Sequence, residues 1–138
     1  MNFELSHPAT PQAAPLHASD LVRLARVIHH VELDYSPASL QEVDRIIEQF
    51  RQGGSSVDDL GGVLFGFGCY LGEVMVRHAQ GQWRNAADTT MADVAGFPIV
   101  IELPGQRVAN PLHRVFRRLE AGPDHSLVEY YRKVTAEA

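Results

Sequence analysis

The chain has 138 residues, 45% of them hydrophobic and 21% charged, a globular balance in a length that builds one core. A formal charge of −5 excludes a nonspecific binder of the nucleic-acid backbone. Cys69 is the single cysteine, so there is no intrachain disulfide, and its apolar neighbours mark it as a small buried hydrophobe.

Residues 1–17 hold Pro8, Pro11 and Pro15, several alanines and almost no charge. They read as a flexible N-terminal tail, leaving 18–138 as a single domain. The start of the chain has no basic n-region and no apolar h-region, so no secretory signal is expected and the protein is expected in the cytoplasm. Ser19 or Asp20 can cap a first helix with Leu21, Leu24, Ile28 and Val31 at inward spacing. Tyr35-Ser36-Pro37 breaks it. A second helix carries Leu40, Val43, Ile46, Ile47 and Phe50 on one face, and Gly53-Gly54 stops it.

Ser56 opens a third helix with Asp58 and Asp59 in its first turn, where negative charge suits the helix dipole. This helix holds five of the eleven glycines: Gly61, Gly62, Gly66, Gly68 and Gly72. Each glycine in a helix interior costs about 0.5–1 kcal/mol relative to alanine, so the bare backbone points to close packing or to a ligand. The pairs Gly62/Gly66 and Gly68/Gly72 have the small-x-x-x-small spacing of close helix approach. Apolar positions run almost all the way round, which marks the central helix of a fold. The uncharged run from Leu60 to Gly72 is shorter than the roughly 20 residues of a membrane span, so no membrane partner is expected.

Beyond Gly81 the periodicity changes. Trp83 opens a short extended segment, and Ile99–Leu103 is the clearest strand. Pro104-Gly105 reads as a turn, with Arg107-Val108-Ala109 returning as a paired strand. Pro111 begins a fourth helix with Leu112, Val115, Phe116 and Leu119 inward, and Gly122-Pro123 ends it. Asp124 or Ser126 opens a last helix. Helices, then a small antiparallel sheet, then two C-terminal helices make an α+β fold rather than a parallel βαβ sheet.

Four pieces in this order resemble a group of small bacterial proteins of unknown function. They are Gly68-Cys69-Tyr70-Leu71-Gly72-Glu73, Gly81-Gln82-Trp83, Pro111 to Leu119 and Asp124 to Tyr131. The resemblance covers roughly Leu60 to Val134. It implies no established activity. Some related small acidic domains look like immunity proteins or accessory factors of bacterial toxins, which implies a protein partner.

Glu73 is the first chemical candidate. It ends the uncharged run, and Arg77 follows at i+4, the favourable order for a pair on one helix face. Tyr70 at i−3 and Trp83 can line the same place, so Glu73, Tyr70, Arg77 and Trp83 form the candidate ligand-binding set. The competing reading is structural: an ion pair with Arg77, or a carboxylate accepting from backbone amides or Trp83. His29 with Glu32, and His30 with Asp34, share helix faces pairwise, but the two pairs point apart and no metal motif occurs, so no metal is expected. His113, Arg114, Arg117 and Arg118 give the fourth helix a basic face, echoed by Arg132 and Lys133, which reads best as a solvated, ion-paired surface beside Glu120 and Glu129.

No nucleophile elbow, P-loop or dinucleotide fingerprint is present, and no catalytic set or cofactor is expected. Two readings stand at this point. One is a non-enzymatic domain that binds another protein through an acidic or aromatic surface. The other is a small-ligand-binding or enzymatic domain with a pocket around Glu73. The sequence leaves the oligomeric state open.

Overall fold

The computed structural model describes residues 5–136. Five helices and a three-stranded antiparallel sheet form the α+β fold: α1 (Ala14–His29), α2 (Leu40–Gln52), α3 (Val57–His78), β1 (Gln82–Asn85), β2 (Ile99–Leu103), β3 (Arg107–Ala109), α4 (Pro111–Ala121) and α5 (Leu127–Thr135). The sheet order is β1-β2-β3, with Trp83 opposite Ile101 and Ile101 opposite Ala109.

α3 is the central helix. Ser56 and Asp59 close a reciprocal capping box at its start, and every residue from Leu64 to Met75 is buried. By length and composition it is apolar enough to cross a membrane, yet 72% of its most apolar window lies buried inside the fold. Its glycines admit neighbours at three points. A Cβ on Gly66 would stand 2.3 Å from Leu21 Cδ2 of α1. One on Gly68 would stand 2.9 Å from the Cα of Leu112 on α4, and one on Gly72 2.2 Å from the Trp83 ring. Gly66 and Gly68 point about 200° apart at 3.6 residues per turn, so α1 and α4 flank the helix on opposite sides. Of the two uses open to a glycine-rich helix, these three positions serve close packing.

Helix α1 departs from expectation at both ends and on its face. Residues 1–4 of the expected tail lie outside the described residues, but α1 starts at Ala14 with Pro15 in its first turn, ahead of Ser19 and Asp20. Its buried face is Ala14, His17, Ala18, Leu21 and Ala25, whereas Ile28 is 62% exposed and Leu24 and Val31 are only partly covered. The reason is steric. α1 packs closely on α3, with Leu21 set over Gly66 and the small Ala14, Ala18 and Ala25 on the same buried face, and Leu24, Ile28 and Val31 lie off that face. α1 ends at His30 in the left-handed conformation (φ 57°), with Val31 N–H donating to Ala25 O, well before Tyr35-Ser36-Pro37.

α2 buries Leu40, Val43, Ile46 and Ile47 as its spacing requires. Its Asp44 is a shared acceptor. Oδ1 takes the Leu127 N–H at 2.9 Å, and Oδ2 takes the Val128 N–H at 3.2 Å and the Ser126 hydroxyl at 3.0 Å. A side chain of α2 thus caps the start of α5, where backbone N–H groups lack helical partners. Arg118 of α4, 4% exposed, donates to the same Asp44 at 3.1 Å and to Glu48 at 2.7 Å. The expected basic face of α4 is therefore divided. His113 and Arg117 are exposed, Arg114 turns to His125 Nδ1 at 3.1 Å and over the Tyr130 ring, and Arg118 faces inward to α2 rather than to Glu120 or Glu129.

Asn110 joins the sheet to the C-terminal helices. Its Oδ1 accepts from His113 N–H as the cap of α4, its Nδ2 donates to Ala95 O at 2.9 Å, and its backbone N–H donates to the Tyr130 hydroxyl. The β1–β2 connection is held in this way over a small cluster of Ala86, Ala95 and Val100.

Candidate functional site

Tyr70, Glu73 and Arg77 lie at i, i+3 and i+7 on α3, and therefore along one face. β1 lays Trp83 across Gly72, which brings the indole to the same place. Trp83 Nε1 donates to Glu73 Oε2 at 2.9 Å, and Arg77 Nη2 stands 3.9 Å from Glu73 Oε1. The Glu73 side chain is 8% exposed and Arg77 48% exposed. Both carboxylate oxygens thus face a donor within the chain.

The fourth predicted residue points elsewhere. Tyr70 is fully buried, and its hydroxyl accepts the Tyr35 N–H at 2.8 Å and lies 2.6 Å from Ser39 Oγ. Burial raises its pKa, an effect partly offset by those two hydrogen bonds. The link between Tyr70 and the Glu73 group is Tyr35, whose sequence context marks only a helix break. The Tyr35 ring stacks 4.9 Å from the Tyr70 ring, and the Arg77 guanidinium lies 3.5 Å from the Tyr35 centroid, a cation–π contact. Burial pushes the Tyr35 phenol up and Arg77 opposes it. Tyr35 has φ 65°, a left-handed conformation uncommon for an aromatic residue. No local spacing signals it, because the tertiary contacts with Tyr70 and Arg77 hold it there.

The result is a row from the interior to the surface: Ser39, Tyr70, Tyr35, Arg77, Glu73 and Trp83. Its outer members are Arg77, Tyr35 and Trp83, half-buried or exposed. Burial, with the Glu73 charge one turn away, pushes the neighbouring Cys69 thiol far up, so it stays a neutral thiol. With Glu73 Oε2 bonded to the indole and Oε1 beside the Arg77 guanidinium, the outer part of the row offers flat aromatic and guanidinium surface.

The histidine pairs of the first helix diverge. The His29 ring meets Phe50 edge-on, and burial together with His30 lowers its pKa. Glu32 pairs with Arg26 at 3.4 Å, and Asp34 accepts the Ser36 N–H. Among the described residues no three His, Cys, Asp or Glu side chains converge on a position that could hold a metal ion.

A family model matches residues 4–107. That stretch takes in the Gly68–Glu73 and Gly81–Trp83 pieces and ends before α4 and α5, so the other two motif pieces lie outside it. Comparison with curated proteins gives no match, and comparison with solved structures gives none. Matched over more than half of its length by the model of DUF6278, a family of unknown function, the chain belongs to that family.

Proposed function

We propose that the protein is a non-enzymatic protein-interaction module of the immunity or accessory kind, acting in the bacterial cytoplasm on another protein. The observation that carries this reading is the Arg77, Tyr35 and Trp83 surface, backed by a buried Glu73 that accepts from Trp83 through Oε2 and has Arg77 3.9 Å from Oε1. Tyr, Trp and Arg are the side chains that most often dominate binding energy at protein interfaces. Here each is held in place before any partner arrives, which lowers the ordering cost of association. Glu73 acts as the positioning residue of that surface. The acidity of the chain agrees with a protein partner rather than a nucleic acid.

The small-ligand reading keeps one observation in its favour. Positive φ at a bulky residue such as Tyr35 is a strain found preferentially at binding sites. The two readings separate in one experiment. Tagged wild-type protein and Arg77→Ala are used to capture partners from the native host, and both are screened with small molecules by thermal shift. The interaction reading predicts one stoichiometric protein captured by the wild type and lost with Arg77→Ala. Equal capture by both, or none by either, contradicts it. A ligand-induced shift abolished in Glu73→Gln favours the pocket instead.

A further inference from the structure

Three of the four large apolar side chains that stand exposed among the described residues belong to α1: Leu16 at 51%, Val27 at 63% and Ile28 at 62%. The outward face of that helix, opposite Ala14, Ala18 and Ala25, reads Leu16, Asp20, Arg23, Val27. The spacings of four, three and four are those of a coiled-coil seam. Asp20 and Arg23 are also open, with side chains 40% and 66% exposed.

The order of these four residues is self-complementary in one direction. If a second α1 lies antiparallel, with the two-fold axis passing between residues 21 and 22, Leu16 meets the partner's Val27 and Asp20 meets the partner's Arg23. Both pairs occur twice, as an isologous two-fold contact requires. The axis also falls at the midpoint of Ala14–His29, so the helices overlap over their whole length. A parallel pair would set Asp20 against Asp20 and Arg23 against Arg23, which is repulsive. We propose that two copies of this chain associate through an antiparallel α1–α1 seam, apolar at both ends and doubly ion-paired at the centre.

The charged pair is prepared within the monomer. Asp20 holds Arg23 at 3.6 Å through Oδ1 and His7 Nε2 at 2.9 Å through Oδ2. The partner's Arg23 would join a carboxylate already oriented, and the centre of the seam becomes a network of alternating charge. The seam is about 24 Å long at 1.5 Å per residue. That is short for an obligate dimer, so association is weak, with a dissociation constant on the order of 10 μM or above. It weakens further as salt screens the central pairs. This surface is separate from the Arg77 surface and does not rest on it.

Sedimentation of the full chain over a range of concentrations tests the seam. The wild type is expected to pass from monomer to dimer in the tens to hundreds of micromolar. Arg23→Glu, which sets acid against acid, is expected to weaken this at least tenfold, and the charge swap Asp20→Arg with Arg23→Asp to recover most of it. A second readout does not depend on the swap. Because Cys69 is buried, engineered cysteines report alone. Leu16→Cys mixed with Val27→Cys is expected to give a disulfide heterodimer on mild oxidation. Neither variant is expected to cross-link to itself, since like positions lie about 16 Å apart along the seam. A wild type monomeric up to millimolar concentration, a dimer indifferent to Arg23→Glu, or Leu16→Cys linking preferentially to itself would each overturn the proposal.

Discussion

Gly66, Gly68 and Gly72 look alike in sequence, but what each of them meets differs, and so should the cost of a methyl group. At Gly66 the obstruction is the far end of Leu21, which can turn aside; at Gly68 it includes the backbone of α4; at Gly72 it is an indole held by Glu73. Alanine also gains about 1 kcal/mol of helix propensity at each site. We therefore expect Gly66→Ala to be near neutral, and Gly68→Ala to lose about 1–3 kcal/mol by overpacking, with Gly72→Ala between them. Urea unfolding checks the order, followed by the fluorescence of Trp83, the only tryptophan. At Glu73, the half-exposed pair with Arg77 is worth about 0–1 kcal/mol, whereas leaving the Trp83 N–H without an acceptor costs about 1–3 kcal/mol. Glu73→Gln, which keeps an acceptor oxygen, should therefore lose less stability than Glu73→Ala in the same unfolding assay. Cys69 should resist thiol reagents until the protein unfolds.

The join between α2, α4 and α5 depends on Asp44, and its loss should be felt in α5 first. Asp44→Ala removes the acceptor for Leu127 and Val128 N–H and leaves Arg118, buried, with Glu48 as its remaining carboxylate. Each buried donor left without its acceptor costs about 1–3 kcal/mol, and several lose theirs at once. The expected signature is faster amide exchange in α5 and a large fall in the urea midpoint. Arg118→Met is the contrasting variant. It leaves Asp44 bonded to α5 and Glu48 bonded to Arg51, so its loss should be much smaller. Glu48 also links the join to pH. Hydrogen bonds from Arg51 and then Arg118 hold its carboxyl down to about 2, from an ordinary value of 4.5. Its contribution to stability is complete above pH 4.5 and disappears as the pH falls towards 2. The midpoint should therefore drop more steeply across that window in the wild type than in Glu48→Gln.

Across the whole molecule, features with a local cause were legible before the structure. Pro111 at the start of α4, the Ser56 cap, the β-branched strand Ile99–Leu103 and the Pro104-Gly105 turn each fall where expected, because neighbouring residues determine them. The face of α1 was not legible. Large apolar spacing is the usual inward signal, and here it holds only for Leu21, the rest of the face that packs on α3 being mostly alanine. Arg118 and Asp44, 74 residues apart, carry no pattern that pairs them. At the candidate site, Glu73 and Arg77 meet through their helical spacing, and Gly72 next to Glu73 leaves the space that the Trp83 ring fills. Tyr35 was missed, because its place is set by a tertiary hydrogen bond to Tyr70 and a ring contact with Arg77.

Glu73 accepts from Trp83 within the chain and so fixes the aromatic surface beside it. The single tryptophan gives a single indole N–H resonance, and hydrogen exchange at that proton reads the Trp83–Glu73 bond directly. Slow exchange is expected in the wild type, retained slowing in Glu73→Gln, and fast exchange in Glu73→Ala with the fold intact. An indole proton that exchanges as fast in the wild type as in Glu73→Ala would contradict it, since Glu73 would then be free to bind something else.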